Sequence, residues 1–183
     1  MSERSPWLRR SRRVAYENAW ITVWHDEVVR PDGAPGIYGV VHFPTRAVGV
    51  VAIDAAGRVL LVGQYRYTLD RYSWEIPEGG SPHDEDPLDG AARELREETG
   101  FAATRWRVLL EADLSNSVSD EEAILYVATG LVPGEAAPEG TERLDLRWVT
   151  FDEAVAMCRD GAIRDAMTIL AIERLALERL ADR

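Results

Sequence analysis

Apolar positions fall into short blocks with strand periodicity, broken by one strong helical pattern and followed by two weaker ones. Trp20 to Val29 is rich in apolar and β-branched residues and predicts a strand. Pro31-Asp32-Gly33 predicts a turn and Ile37 to Phe43 a second strand, so a β-hairpin precedes the main body of the chain. Val48 to Ile53 and Arg58 to Tyr65 flank Ala55-Ala56-Gly57 and predict another hairpin. Trp74 to Ile76 is short and extended ahead of Pro77. Strands are also predicted over Trp106 to Leu110, Ala123 to Ala128 and Leu144 to Val149, with a loop over Pro133 to Thr141.

The clearest helical pattern runs from Pro87 to Thr99. Leu88, Ala91, Ala92 and Leu95 lie on one face, Asp86 is placed to cap the start, Pro87 suits the first position, and Gly100 suits the stop. Two further helices are predicted over Asp152 to Arg159 and Arg164 to Ala181, separated by Gly161. Strands before and after one central helix predict an α/β (α+β) fold. Three segments follow: a mobile basic arm over 1–13, the N-terminal hairpin over 14–45, and a main domain over 46–183.

Composition narrows the chemistry. The chain has 183 residues, 46% of them hydrophobic, enough for one substantial core. A net charge of −11 argues against non-specific nucleic-acid binding. Every Lys-or-Arg position is arginine, which excludes Schiff-base chemistry and a lysine-based phosphate loop. The single cysteine, Cys158, forms no internal disulfide and suits a reducing cytoplasm. No apolar run is long enough for a membrane span. Three scattered histidines make no zinc pattern.

Charge is uneven. Glu75 to Glu98 carries nine acids against two arginines, a local excess of seven negative charges. The central helix holds Arg93-Glu94-Leu95-Arg96-Glu97-Glu98-Thr99-Gly100. Glu94 and Glu98 are four apart and share a face, and Glu97 borders it. Such carboxylates repel one another unless a hard cation with oxygen ligands bridges them. The bland alternative is a solvated acidic face with pairs such as Arg93–Glu97. Glu78-Gly79-Gly80 favours a site: it predicts a glycine-rich loop, just ahead of the helix, that admits close approach of backbone to ligand.

Gly79, five residues, Glu85, seven residues and then Arg93-Glu94-Leu95-Arg96-Glu97-Glu98-Thr99-Gly100-Phe101 resemble the Nudix box, GX5EX7REUXEEXGU with U apolar, at every defined position. Gly63-Gln64-Tyr65-Arg66 and Trp74-Glu75-Ile76-Pro77 are similar to the branch acting on ADP-ribose and nucleotide sugars. So are Ser115 to Glu121 and Glu139-Gly140-Thr141-Glu142.

The resemblance implies an α/β/α sandwich with a mixed sheet, plus the N-terminal hairpin subdomain. It implies attack of water on the diphosphate of a nucleoside diphosphate derivative, with Mg2+ as cofactor and Mn2+ as a substitute. Glu94, Glu98 and the Glu78 carbonyl match metal ligands, and Glu97 matches a ligand or support of a second ion. Arg93 matches an arginine that orients the glutamates. Glu85 matches a supporting acid. Glu142, with Glu139 second, matches the position of a general base on a later loop. Arg66 resembles a phosphate-pairing arginine, and Trp74 and Glu75 are candidates for holding the base. The N-terminal hairpin resembles a dimerisation element, so a homodimer is expected.

One departure matters. Many ADP-ribose hydrolases carry a proline about fifteen residues past the box, where this chain has Asn116. The expectation therefore shifts towards hydrolysis of nucleoside diphosphate sugars. ADP-ribose hydrolysis and a non-catalytic nucleotide-sensing module are the alternatives.

Overall fold

A computed structural model describes residues 5–136 and 143–181. The chain forms two compact units. One comprises the residues up to Thr45 together with the excursion Asp113–Glu122; the other comprises Arg46–Ala112 and the residues from Ala123 on.

In the first unit, β1 (Leu8–Glu17), β2 (Thr22–Val29) and β3 (Pro35–His42) form an antiparallel sheet in that order. The predicted hairpin is β2–β3, turning at Gly33 with φ 83°. The basic arm expected over 1–13 needs correction from Leu8 onward, where the chain is strand β1, paired with β2. The reason is local chemistry. Arg12 Nε and Nη2 each donate to Asp26 at 2.7 Å, and its guanidinium lies 3.7 Å from the Trp24 ring centre. Arg12 is thus a sheet residue with side-chain partners on β2. Trp24 stacks on His42 at 4.3 Å, and His42 Nδ1 lies 2.6 Å from Asp120 Oδ2. That pair, with the Val41 N–H donating to the Val118 carbonyl, ties the 113–122 excursion to β3. Asn116 lies in this excursion.

The second unit holds two sheets. One has the order β10 (Asp145–Thr150), β5 (Arg58–Arg66), β6 (Arg71–Glu75) and is antiparallel. The other has the order β7 (Glu78–Pro82), β4 (Thr45–Ala52), β9 (Glu121–Pro133), β8 (Phe101–Leu114), with β4 and β9 parallel. The loop expected at Glu78-Gly79-Gly80 is instead the start of edge strand β7, hydrogen-bonded to β4.

Helix α1 (Pro87–Thr99) forms as its pattern predicts. Asp86 accepts from the Leu88 N–H at 2.9 Å, Pro87 opens the helix, and Gly100 closes it with φ 74°. Its apolar face puts Ala91 and Leu95 against Val48, Val50, Ala52, Leu60, Tyr126 and Ala128, all buried. Truncating Leu95 to alanine would cost about 2–5 kcal/mol, so the helix is firmly seated and its opposite face is held in place. Helix α2 (Phe151–Asp160) is capped by Thr150, and α3 (Ala166–Ala181) follows Asp165, whose Oδ2 accepts from the Thr168 N–H at 2.7 Å. Among the described residues, no helix is long and apolar enough to cross a membrane.

Candidate active site

Helix α1 and strand β7 build the site. Glu94 and Glu98 reach from α1 to the start of β7, and Glu97 joins them through Arg93. Glu98 is buried, and its Oε2 accepts from the Glu78 N–H at 3.1 Å. Glu94 presses against Gly79 so closely that a Cβ there would collide with its carboxyl group. Gly79 is thus needed for space: it lets the β7 backbone reach the helix carboxylates.

Arg93 organises the exposed edge of this group. Its guanidinium donates to the Gly80 carbonyl and Glu94 at 2.7 Å, to Glu97 at 3.2 Å and to Glu85 at 3.3 Å. The Arg93 bond holds the Glu85 carboxyl below the usual range. Three carboxylates and the Gly80 carbonyl share one cation, four acceptors that a five-donor planar fork can serve and a three-donor ammonium cannot.

A second charged group adjoins the first residue of β7, Glu78. Arg66, at the end of β5, contacts Glu75 at 2.5 Å and Glu78 at 3.0 Å. Asp165, at the head of α3, brings a carboxylate oxygen within 4.8 Å of those of Glu75 and Glu78. Burial, then the Asp165 and Glu75 charges, push the Glu78 carboxyl well above the usual range, although Arg66 pulls it down. Glu78 Oε2 is buried without a hydrogen-bond partner.

The segment between these groups is held from three sides. The Ile76 N–H donates to Thr168 Oγ1 at 2.9 Å, the Pro77 carbonyl accepts from the Val50 N–H at 2.9 Å, and the Glu78 N–H donates to Glu98.

The structure thus brings Arg93, Glu94, Glu97, Glu98, Glu78 and Glu85 together. Arg66 and Glu75 adjoin them but are paired with each other, and Glu75 also accepts from Gln64. Trp74 precedes Glu75 on β6 and so faces the other side of the sheet. There it meets Tyr72 edge-on at 5.5 Å and Arg147 at 5.7 Å. Trp74 and Glu75 therefore do not converge on one ligand position. Glu139 and Glu142 lie outside the described residues. Sequence reasoning missed Asp165 and Thr168, which are distant in the chain; a cap pattern at the start of α3 was their only local signal.

The geometry is matched by family comparison. The NUDIX domain model matches residues 43–169. The chain belongs to the Nudix family. The model of the nucleoside diphosphate sugar hydrolase N-terminal domain matches residues 6–41, placing this Nudix protein in the ADP-ribose and nucleotide-sugar branch. The methanol dehydrogenase activator of Bacillus methanolicus is 36% identical over 155 residues, covering 84% of this chain and 83% of its own. The ADP-ribose pyrophosphatase of Mycobacterium tuberculosis is 35% identical over 170 residues, 88% and 79% of the two chains. A crystal structure of an ADP compounds hydrolase superposes with a TM-score of 0.88 at 18% identity, covering 100% of this chain and 98% of that one, which fixes the fold as the Nudix fold. The protein is a Nudix hydrolase that cleaves the diphosphate linkage of a nucleoside diphosphate derivative, a reaction for which the family uses a divalent metal.

Proposed function

We propose that the protein hydrolyses nucleoside diphosphate sugars to a nucleoside monophosphate and a sugar phosphate, with Mg2+ as its metal and Mn2+ as a substitute. The observation that carries this reading is the approach of Glu94 and Glu98 to the Glu78-Gly79 segment, which a Cβ at residue 79 would obstruct, with Glu97 held to the same group by Arg93. The donors are all oxygen, the set a hard divalent cation takes. The buried, unpartnered Glu78 Oε2 further marks the region as short of positive charge. Glu94, Glu98 and the Glu78 carbonyl would hold the metal, with Glu97 supporting a second ion. When bound, the metal neutralises phosphate oxygens and lowers the pKa of a ligated water.

The chain's own residues do the rest. Arg93 fixes the directions of Glu94 and Glu97. Glu142, with Glu139 second, takes the proton of the attacking water. Arg66 is poised near the diphosphate, and Glu75 orients it, a reading supported by their 2.5 Å contact. Trp74 offers an aromatic face on the other side of β6.

ADP-ribose hydrolysis to AMP and ribose 5-phosphate is the second reading, favoured by the M. tuberculosis relative's name. A panel of ADP-ribose, GDP-mannose, ADP-glucose, UDP-glucose and a nucleoside triphosphate, assayed with Mg2+ and product chromatography, separates them. Fast cleavage of one diphosphate sugar, lost in Glu98→Gln, supports the proposal. No turnover with Mg2+ or Mn2+ refutes it and turns the reading to a nucleotide-sensing module.

The N-terminal sheet supports the expected homodimer. Strand β1 is a sheet edge, and Leu8, Val14, Tyr16 and Trp20 stand exposed on or beside it. Light scattering after size exclusion tests this: a 20.5 kDa particle would exclude it.

A further inference from the structure

We propose that Thr168 is a positioning residue for the metal centre, acting through the backbone of Ile76-Pro77-Glu78 to fix the direction of the Glu78 carbonyl. The proposal rests on the reading of Glu78, Glu94 and Glu98 as metal ligands.

Strand β6 ends at Glu75 and β7 begins at Glu78, so two residues join them. One backbone group from each of Ile76, Pro77 and Glu78 is tied to a different element. The Glu78 N–H goes to α1 through Glu98, and the Pro77 carbonyl to β4 through Val50. The Ile76 N–H goes to α3, through the Thr168 hydroxyl. Ile76 and Thr168 are both fully buried, so no water can replace that acceptor. Pro77 contributes no N–H of its own, which leaves the Ile76 bond as the anchor on the entry side.

Thr168 is itself well fixed. Its N–H donates to Asp165 Oδ2 at 2.7 Å, locking the first turn of α3. A β-branched side chain has restricted χ1, so the hydroxyl has little freedom to turn away. Thr168 is the polar member of a face otherwise made of Met167, Ala171, Ile172 and Leu175. A buried hydroxyl among apolar side chains carries a desolvation cost unless it makes a specific bond, and here it bonds the link leading into Glu78. Moving the Ile76 amide turns the short link and with it the Glu78 carbonyl, while Glu94 and Glu98 stay on a helix packed independently against β4 and β9.

The test uses the full chain with Thr168→Val, which keeps the shape and removes the acceptor, and Thr168→Ser, which keeps the hydroxyl. Mn2+ binding to the metal-free protein is measured by calorimetry, and the Mg2+ dependence of kcat and KM by turnover, well below the melting temperature of each variant. Thr168→Val should bind Mn2+ about 10-fold or more weakly, the usual effect of losing a partner that orients a ligand. Its kcat should fall with little change in KM for the nucleotide, and Thr168→Ser should recover both properties. If Thr168→Val does not fold, Thr168→Cys, with a weak sulfur acceptor, makes the same comparison. Wild-type Mn2+ affinity in folded Thr168→Val, or a serine variant as impaired as valine, overturns the proposal. Failure of the wild-type protein to bind Mn2+ overturns instead the metal-site reading beneath it.

Discussion

Replacing Gly79 with alanine asks whether the approach of β7 to α1 sets the site. Gly79 is not among the glycines with positive φ, so its backbone accepts an alanine and only space is lacking. The added methyl would overlap the carboxyl carbon and both oxygens of Glu94. Ordinary carbon contacts lie at about 3.5–4 Å, so either Glu94 must swing aside or β7 must retreat by about 1 Å or more. Swinging Glu94 breaks its 2.7 Å bond to Arg93, and an off-rotamer side chain costs about 0.5–1.5 kcal/mol. Retreat of β7 stretches the Glu78–Glu98 bond, worth about 0.5–1.5 kcal/mol net. Stability should therefore fall by about 1–3 kcal/mol, which leaves a folded protein.

Activity should suffer more. A catalytic group displaced by about 1 Å can lose about 100-fold in rate, or about 2.7 kcal/mol of barrier. The assay is initial-rate hydrolysis of the best panel substrate with saturating Mg2+, beside urea denaturation of the same preparations. Gly79→Ala with kcat/KM within threefold of wild type would refute the reasoning. It would mean that Glu94 can leave its position without consequence, and that the close contact is packing alone.

Other substitutions read other parts of the molecule. Arg93→Lys should lower kcat/KM about 10- to 100-fold, because one ammonium cannot serve Glu85, Glu94, Glu97 and the Gly80 carbonyl together; steady-state kinetics would show it, and an unchanged rate would contradict the orienting role. Asp26 is buried, and the Arg12 bond holds its carboxyl below the usual range, so its contribution to stability is full above that range and is lost as pH falls through the depressed value. Urea midpoints between pH 7 and pH 2 should fall less steeply for Asp26→Asn than for wild type, and equal slopes would disprove the linkage. Cys158 is pushed up to about 11, mainly by burial and then by Glu173 and Asp160, so alkylation at pH 7.5 should run about 100-fold slower than for a free thiol, as mass spectrometry would record.

Much of the site was legible because its residues are consecutive on a helix. Spacing alone puts Glu94 and Glu98 on one face, and the Asp86 cap, Pro87 and Gly100 fix where that helix starts and stops. What spacing cannot give is the partner of each charge. Arg66 resembles a phosphate-pairing arginine, but nothing in the sequence shows that Glu75 and Glu78 hold its guanidinium. Trp74 and Glu75 are both candidates for holding the base on the resemblance, and strand alternation sends adjacent residues to opposite faces. The arm over 1–13 reads as mobile because it is arginine-rich with no apolar stretch behind it; from Leu8 it is a strand whose Arg12 meets Asp26 and Trp24, a dozen or so residues away. Asp165 and Thr168 carry only a helix-cap pattern, which says nothing of the site, and only the fold brings α3 to the link before Glu78.

Those partners explain how so acidic a stretch folds. Counted along the sequence, Glu75 to Glu98 has seven surplus negative charges. In space, Arg93 draws Glu85, Glu94 and Glu97 to one guanidinium, and Arg66 enters from β5 to meet Glu75 and Glu78. Asp165 then adds a further negative charge from α3. Two arginines thus face six carboxylates, with buried Glu98 close by, so the arrangement orders the acids without neutralising them. A chain without lysine suits this arrangement, since each fork holds several carboxylates in fixed directions. A fully neutralised cluster would bind a divalent cation more weakly, and an unpaired one would hold its geometry less firmly. The partial balance leaves surplus negative charge in both groups, around Arg66 and around Arg93, which meet at the Glu78-Gly79 segment.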